Sequence, residues 1–249
     1  MQFPNIQLKN PGVSSQWGGI PSGLDALVFG KACLDLKKRA DKHFPVMVLR
    51  DNAQLDSFAK DLAYFSPDLS ILKFPAWDTV PYDRTSPAKE LMSRRLKTLM
   101  SLERMKKKSE CEGACLLTTA AAFGQYVLPP AALRGMSLSF KVGEEISEKR
   151  LKTFFMTTGY HAVDVVREGG EYALRGGIID IFPSHAPAPF RLDLFGDEIE
   201  KIREINPITG DVLGEKDKVY IYPARHFVTS RTTLEKAVGV IEAELRERL

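Results

Sequence analysis

Phosphate binding is the first chemistry to test, because Gly30-Lys31 stands beside a candidate helix start. A phosphate loop needs a glycine, four residues, then Gly-Lys-Ser/Thr, so that backbone N–H groups cradle phosphates and a hydroxyl holds Mg2+. Here the first of those positions is Asp25 and the hydroxyl position is Ala32. With the turn glycine and the metal-holding hydroxyl both replaced, nucleotide hydrolysis by this chain is not expected. Asp197-Glu198-Ile199-Glu200 has the look of a helicase acidic box. It follows Phe195-Gly196 rather than an apolar parallel strand, so it reads as a solvated hairpin turn. Cys111-x3-Cys115 is half a metal site, but four scattered histidines supply no second pair. Without a Gly-x-Ser-x-Gly or a Cys/His nucleophile pattern, no catalytic, metal or cofactor residue is assigned.

Binding surfaces are better candidates than catalytic groups. Residues 89–108 carry eight basic side chains (Lys89, Arg94, Arg95, Lys97, Arg104, Lys106, Lys107 and Lys108) against two acidic ones. A basic helix face can neutralise phosphates, and the alternative is a solvated helix end with its lysines on the C-terminal dipole. Residues 161–205 hold five basic and nine acidic residues, a poor composition for a nucleic-acid surface. In Arg191-Leu192-Asp193-Leu194-Phe195, strand alternation sets Leu192 and Leu194 on one face and Arg191, Asp193 and Phe195 on the other. Leucines facing a core would leave Phe195 exposed beside an arginine. Tyr172 and Leu174 likewise oppose Glu171 and Arg175. An exposed aromatic among arginines has the composition of a protein-binding hot spot. The alternative is a β-bulge that turns Phe195 inward, with the arginines pairing to Asp193 or Glu171.

The elements that must position these groups change character along the chain. Ala32 to His43 reads as a helix, Val46 to Leu49 as a buried strand, and Ala53 to Phe65 as a helix capped by Asp51 or Asn52. Ser70 to Phe74 is a strand candidate, followed by a Trp77/Tyr82 loop, a helix from Pro87 to about Met105, and a strand at Leu116–Thr119. Alternating strand and helix predicts a parallel sheet covered by helices. After about Pro130 come a strand at Met136–Phe140, a helix at Ser147–Thr158, and short runs from His161 to Ile205 broken by Gly, Pro and Asp. Those runs predict antiparallel hairpins. Lys218–Tyr222 adds a strand, and an amphipathic helix runs from Thr232 to the C-terminus.

Composition bounds the class. At 249 residues, 44% hydrophobic and 27% charged, the chain is long for one domain and can bury a real core. A formal charge of +3 settles no partner. No apolar run is long enough to span a membrane, and the three cysteines form no disulfide framework, so a cytoplasmic setting is expected.

Two stretches carry a resemblance. Phe74-Pro-Ala-Trp-Asp-Thr-Val-Pro-Tyr-Asp83, with Ser86-Pro87 and Ser93-Arg94-Arg95-Leu96, resembles the N-terminal loop and helix of bacterial transcription-repair coupling factors. Arg167 to Pro183 and Pro189 to Glu200 resemble the module those factors share with the excision-repair protein UvrB. The resemblance runs from about residue 24 to residue 228. It implies an α/β chain in which a degenerate RecA-like parallel-sheet domain is interrupted by an α+β antiparallel-sheet domain. Residues 1–135 would be the first part of the RecA-like domain, 136–224 the α+β domain, and 225–249 a truncated return to the first. It implies UvrA as partner, with contacts at Arg175, Arg191 and Phe195. UvrB has an intact phosphate loop and a long DNA-clamping hairpin, and neither is seen in this sequence. The ATP- and Mg-dependent motor, the RNA-polymerase contact and the double-stranded DNA contact of the family would lie outside these 249 residues. The alternative function is DNA binding by the basic 89–108 helix.

Overall fold

The computed structural model describes residues 16, 18–21, 23–38, 44–80, 83–105, 113–225 and 231–248. The chain divides into two compact units, Met1–Leu128 and Pro129–Leu249.

The first unit is α/β. It runs α1 (Leu24–Lys38), β1 (Val46–Leu49), α2 (Asn52–Phe65), β2 (Ser70–Phe74), α3 (Lys89–Arg104), β3 (Ala114–Thr119) and α4 (Ala120–Phe123). The strands form a sheet in the order β1-β3-β2, and both pairings are parallel. A helical crossover between successive strands allows this direction, as the alternating pattern predicts. Asp51 caps α2 by accepting the Gln54 N–H at 2.8 Å. Leu55, Phe58, Ala59 and Leu62 recur along one face of α2 and pack with Ala26, Cys33, Leu49, Cys115 and Leu117 into a single core.

The first helix differs from its sequence expectation. It begins at Leu24 rather than Ala32, so Gly30-Lys31 lies inside a helix and not in a loop before one. Residues 39–43 of the expected helix lie outside the described residues. Gly30 is buried, and a Cβ there would stand 2.3 Å from Ser66 Oγ. The glycine therefore lets α1 approach the end of α2.

The second unit is α+β. It opens with α5 (Pro130–Gly135), β4 (Leu138–Lys141) and α6 (Glu148–Thr158). Six strands follow as a sheet: β5 (His161–Ala162), β6 (Glu171–Arg175), β7 (Ile178–Phe182), β8 (Phe190–Phe195), β9 (Glu198–Ile205) and β10 (Val212–Glu215). Their order is β10-β9-β8-β7-β6-β5, antiparallel throughout except for the β5–β6 pair. β11 (Lys218–Ile221) pairs with β4, and α7 (Arg231–Arg248) ends the unit. Leu151, Phe154 and Phe155 of α6 bury against Tyr172, Ile179, Ile181, Leu192, Ile199 and Ile202. Phe155 stacks on Tyr172 with ring centroids 4.1 Å apart. This core uses one face of the sheet.

Candidate protein-docking face

The opposite face of the sheet carries the polar members of the alternation. The Gly176-Gly177 turn, with both φ angles positive, joins β6 to β7 and sets the register Arg175↔Ile178 and Ala173↔Asp180. The next pairing sets Asp180 opposite Arg191, and the one after sets Arg191 opposite Arg203. Three guanidinium-bearing positions and one internal aspartate are thus gathered by hairpin register alone.

Asp180 is the centre of the arrangement. Its side chain is 3% exposed and accepts from Arg191 Nε at 2.7 Å, Arg191 Nη2 at 2.8 Å and Arg175 Nη2 at 3.1 Å. One carboxylate under two guanidiniums leaves a local excess of positive charge at the surface. The hydrogen bonds to Asp180 raise the pKa of Arg191, against the opposing effect of desolvation. Arg175 keeps 51% of its side chain exposed and Arg191 keeps 26%, so both can still reach a partner. Asp193 is engaged separately, by Arg203.

Phe195 lies at the end of β8 and is 82% exposed. Leu192 is fully buried and Leu194 packs against the core, as alternation requires. A bulge does occur here, between Asp193 and Leu194. The partner residues step from Lys201 to Ile199, so the extra residue is Glu200 of β9, and β8 keeps its alternation. The arginines pair with neither Asp193 nor Glu171. Glu171 instead accepts the backbone N–H groups of Arg167 and Glu168.

Sequence reading missed Asp180. The signal was available: a two-residue Gly-Gly turn fixes the register of the strands it joins, and that register places Asp180 on the face shared with Arg175.

The other candidates are placed as follows. Asp197 sits in the β8–β9 turn, and Glu198 and Glu200 are exposed on β9. Cys111, Tyr82 and Lys106 to Lys108 lie outside the described residues. Cys115 is buried and hydrogen-bonded with Cys33, which together with burial pushes the Cys33 thiol up. Among the described residues no three His, Cys, Asp or Glu side chains are grouped to hold a metal, and no helix is long and apolar enough to cross a membrane.

One member of the basic stretch is not a surface charge. Arg95 of α3 is fully buried, with its guanidinium carbon 4.0 Å from the Phe74 ring centroid and 4.1 Å from that of Trp77. Its Nη1 donates to the Pro75 carbonyl. Burial lowers its pKa to about 10, so it remains a cation at neutral pH. Asn52 fixes the same loop by exchanging two hydrogen bonds with the Ala76 backbone. Trp77 thus serves as a structural clamp, while Lys89, Arg94, Lys97 and Arg104 remain exposed on α3.

Comparison with known proteins places this face in a recognised domain. Residues 138–227 match the family model of the UvrB interaction domain. The chain is 32% identical over 230 residues to the transcription-repair-coupling factor of Haemophilus influenzae, covering 92% of this chain and 19% of that protein. It is 33% identical over 208 residues to the transcription-repair-coupling factor of Escherichia coli, covering 83% of this chain and 18% of that protein. A third similarity, 41% over 121 residues, is to UvrABC system protein B of Natranaerobius thermophilus, with 48% of this chain and 18% of that protein covered. The chain therefore spans about a fifth of the length of these curated relatives.

Proposed function

We infer that this chain, a UvrB-like module of the transcription-repair coupling factor family with a UvrB interaction domain at residues 138–227, recruits UvrA through the outer face of its antiparallel sheet. The observation that carries the reading is Phe195, 82% exposed on the face where Asp180 holds Arg175 and Arg191. A large aromatic in water stabilises no core, whereas at an interface it supplies anchoring area, and arginine is the cation most favoured at such anchors. Arg175, Arg191 and Phe195 are the contact residues of this proposal. Their role is to bind and orient, and no bond-making step is assigned to the chain.

Residues 1–135 and 225–249 are read as a degenerate RecA-like scaffold, and 136–224 as the docking domain. The parallel β1-β3-β2 sheet and helical crossovers of the first unit support that reading. Gly30-Lys31 within α1, rather than in a strand-to-helix loop, supports a non-enzymatic chain that holds neither ATP nor Mg2+. ATP-driven movement on double-stranded DNA and contact with RNA polymerase are assigned to the parts of the longer relatives that this chain does not span. The setting implied is the cytoplasm.

Calorimetry with purified UvrA tests the reading on the wild-type chain and Phe195→Ala. The expected result is binding by the wild type, loss of binding by the variant, and equal melting temperatures. Retained UvrA binding by a normally folded Phe195→Ala would overturn the assigned hot spot. A folded wild type that does not bind would overturn the recruitment function itself.

A further inference from the structure

The tips of the β6–β7 and β8–β9 hairpins are held side by side, with Leu194 N–H donating to the Gly177 carbonyl at 2.7 Å. Beside them opens a cleft of about 170 Å3. Leu174, Ile178 and Leu194 give it apolar walls, and the missing side chains of Gly176, Gly177 and Gly196 keep it open. Ile146, Leu151 and Ile179 close it on the α6 side of the sheet, while Arg175 and Gly196, the residue after Phe195, set its rim at the hairpin tips, where it adjoins the edge of the docking face. Its rim also carries Glu148 and Asp197. Glu148 is paired to Lys152, while the Asp197 carboxylate has no side-chain partner among the described residues.

We propose that this cleft receives an aliphatic or aromatic side chain of the docked protein, with a lysine or arginine of that protein set beside it against Asp197. The inference rests on the UvrA-recruitment reading and deepens it. Interface anchors pair across a contact: an exposed ring on one partner is commonly matched by a pocket that takes a ring or alkyl group from the other. The Asp197 carboxylate selects the charge of the neighbour, because a like charge beside it would be repelled and a cation attracted.

Gly176 offers an unusually clean test. Both turn glycines have positive φ, and Asn-Gly is a favoured pair for two-residue hairpin turns. A Cβ at Gly176 would meet no atom within 4 Å. Gly176→Asn therefore suits the turn while adding a side chain at a residue that lines the cleft. Gly210→Asn, at another open position with positive φ in the β9–β10 turn, is the control. Asp197→Lys tests the rim charge at an exposed turn residue. UvrA is titrated calorimetrically into each chain, alongside the wild type and Phe195→Ala. Binding at least about tenfold weaker for Gly176→Asn and Asp197→Lys, with unchanged melting and wild-type affinity for Gly210→Asn, is the expected result. Wild-type affinity in either Gly176→Asn or Asp197→Lys, while Phe195→Ala has lost binding, would overturn the cleft and leave the recruitment reading standing. No binding by the folded wild type would overturn both.

Discussion

Asp180 and Arg191 face one another across β7 and β8, and the buried carboxylate takes both the Nε–H and an Nη2–H of the arginine. The bidentate fork fixes the plane of the guanidinium, and the bond from Arg175 at 3.1 Å orients a second cation from the same oxygen pair. The side chain that orients both arginines of the proposed docking face is thus itself buried.

Asp180→Asn tests that consequence. It keeps the volume but removes the charge, so both arginines lose a charge-assisted acceptor, and stability falls by about 1–3 kcal/mol. UvrA binding should weaken as well, although Asp180 is buried. Ile181→Val supplies a control destabilised without any change at the face: Ile181 is fully buried in the core, and the truncation costs about 0.5–1.5 kcal/mol. Denaturant titration and calorimetry on both variants separate the two effects. Equal affinity for Asp180→Asn and Ile181→Val would show that Asp180 acts on stability alone.

The face was partly legible in sequence because strand alternation has a period of two and tolerates no intermediate state. Leu192 and Leu194 inward left Phe195 outward, provided β8 stayed regular, and the Glu200 bulge fell on β9 instead. Asp180 was harder to see because it lies in an apolar run, where burial is the only cue and its partners come from other strands. Helix boundaries were less legible for a related reason. Gly30 weakens local helix propensity, yet α1 continues through it because packing beside Ser66 requires the absence of a side chain. Arg95 resembled its exposed neighbours in type and differed only in facing Phe74 and Trp77.

Gly30→Ala should therefore destabilise the first unit. In an exposed helix the same change stabilises by about 1 kcal/mol. Here the new Cβ would stand 2.3 Å from Ser66 Oγ and 3.1 Å from Leu62 Cδ1, so buried atoms must move, at a cost of about 1–3 kcal/mol. Adding Ser66→Ala removes the nearest atom and should recover part of the loss. Thermal melts of both single variants and the double variant measure the coupling. A stabilised Gly30→Ala would show that α1 and α2 are not in close contact at this point.

Nucleotide should leave the folded chain unchanged. A ligand present at 100 times its Kd adds about 2.7 kcal/mol of stability, which a melting curve resolves. Melting with millimolar Mg-ATP is expected to superimpose on melting without it, because Gly30-Lys31 lies within α1 and Ala32 supplies no hydroxyl. A clear upward shift would reinstate a nucleotide site in the first unit.

Arg95 separates architecture from DNA affinity within the basic helix. Lysine in its place keeps the charge but loses the planar surface that lies between Phe74 and Trp77. Arg95→Lys should cost about 1–2 kcal/mol of stability, the range for a desolvated cation–π contact, and should quench or shift the Trp77 fluorescence. A fully buried group makes no phosphate contact, so any affinity for duplex DNA, and its slope against salt, should be the same in the variant as in the wild type. The exposed Arg94 and Lys97 are the contrasting pair: changing both to alanine should leave the Arg95 clamp intact while shallowing any salt slope that the wild type displays. If the wild type shows no salt-dependent DNA binding, or if its slope survives loss of Arg94 and Lys97, α3 is not a phosphate-contacting face. Its basic side chains then serve packing, as Arg95 does, or ion pairs such as the one between Arg94 and Asp56.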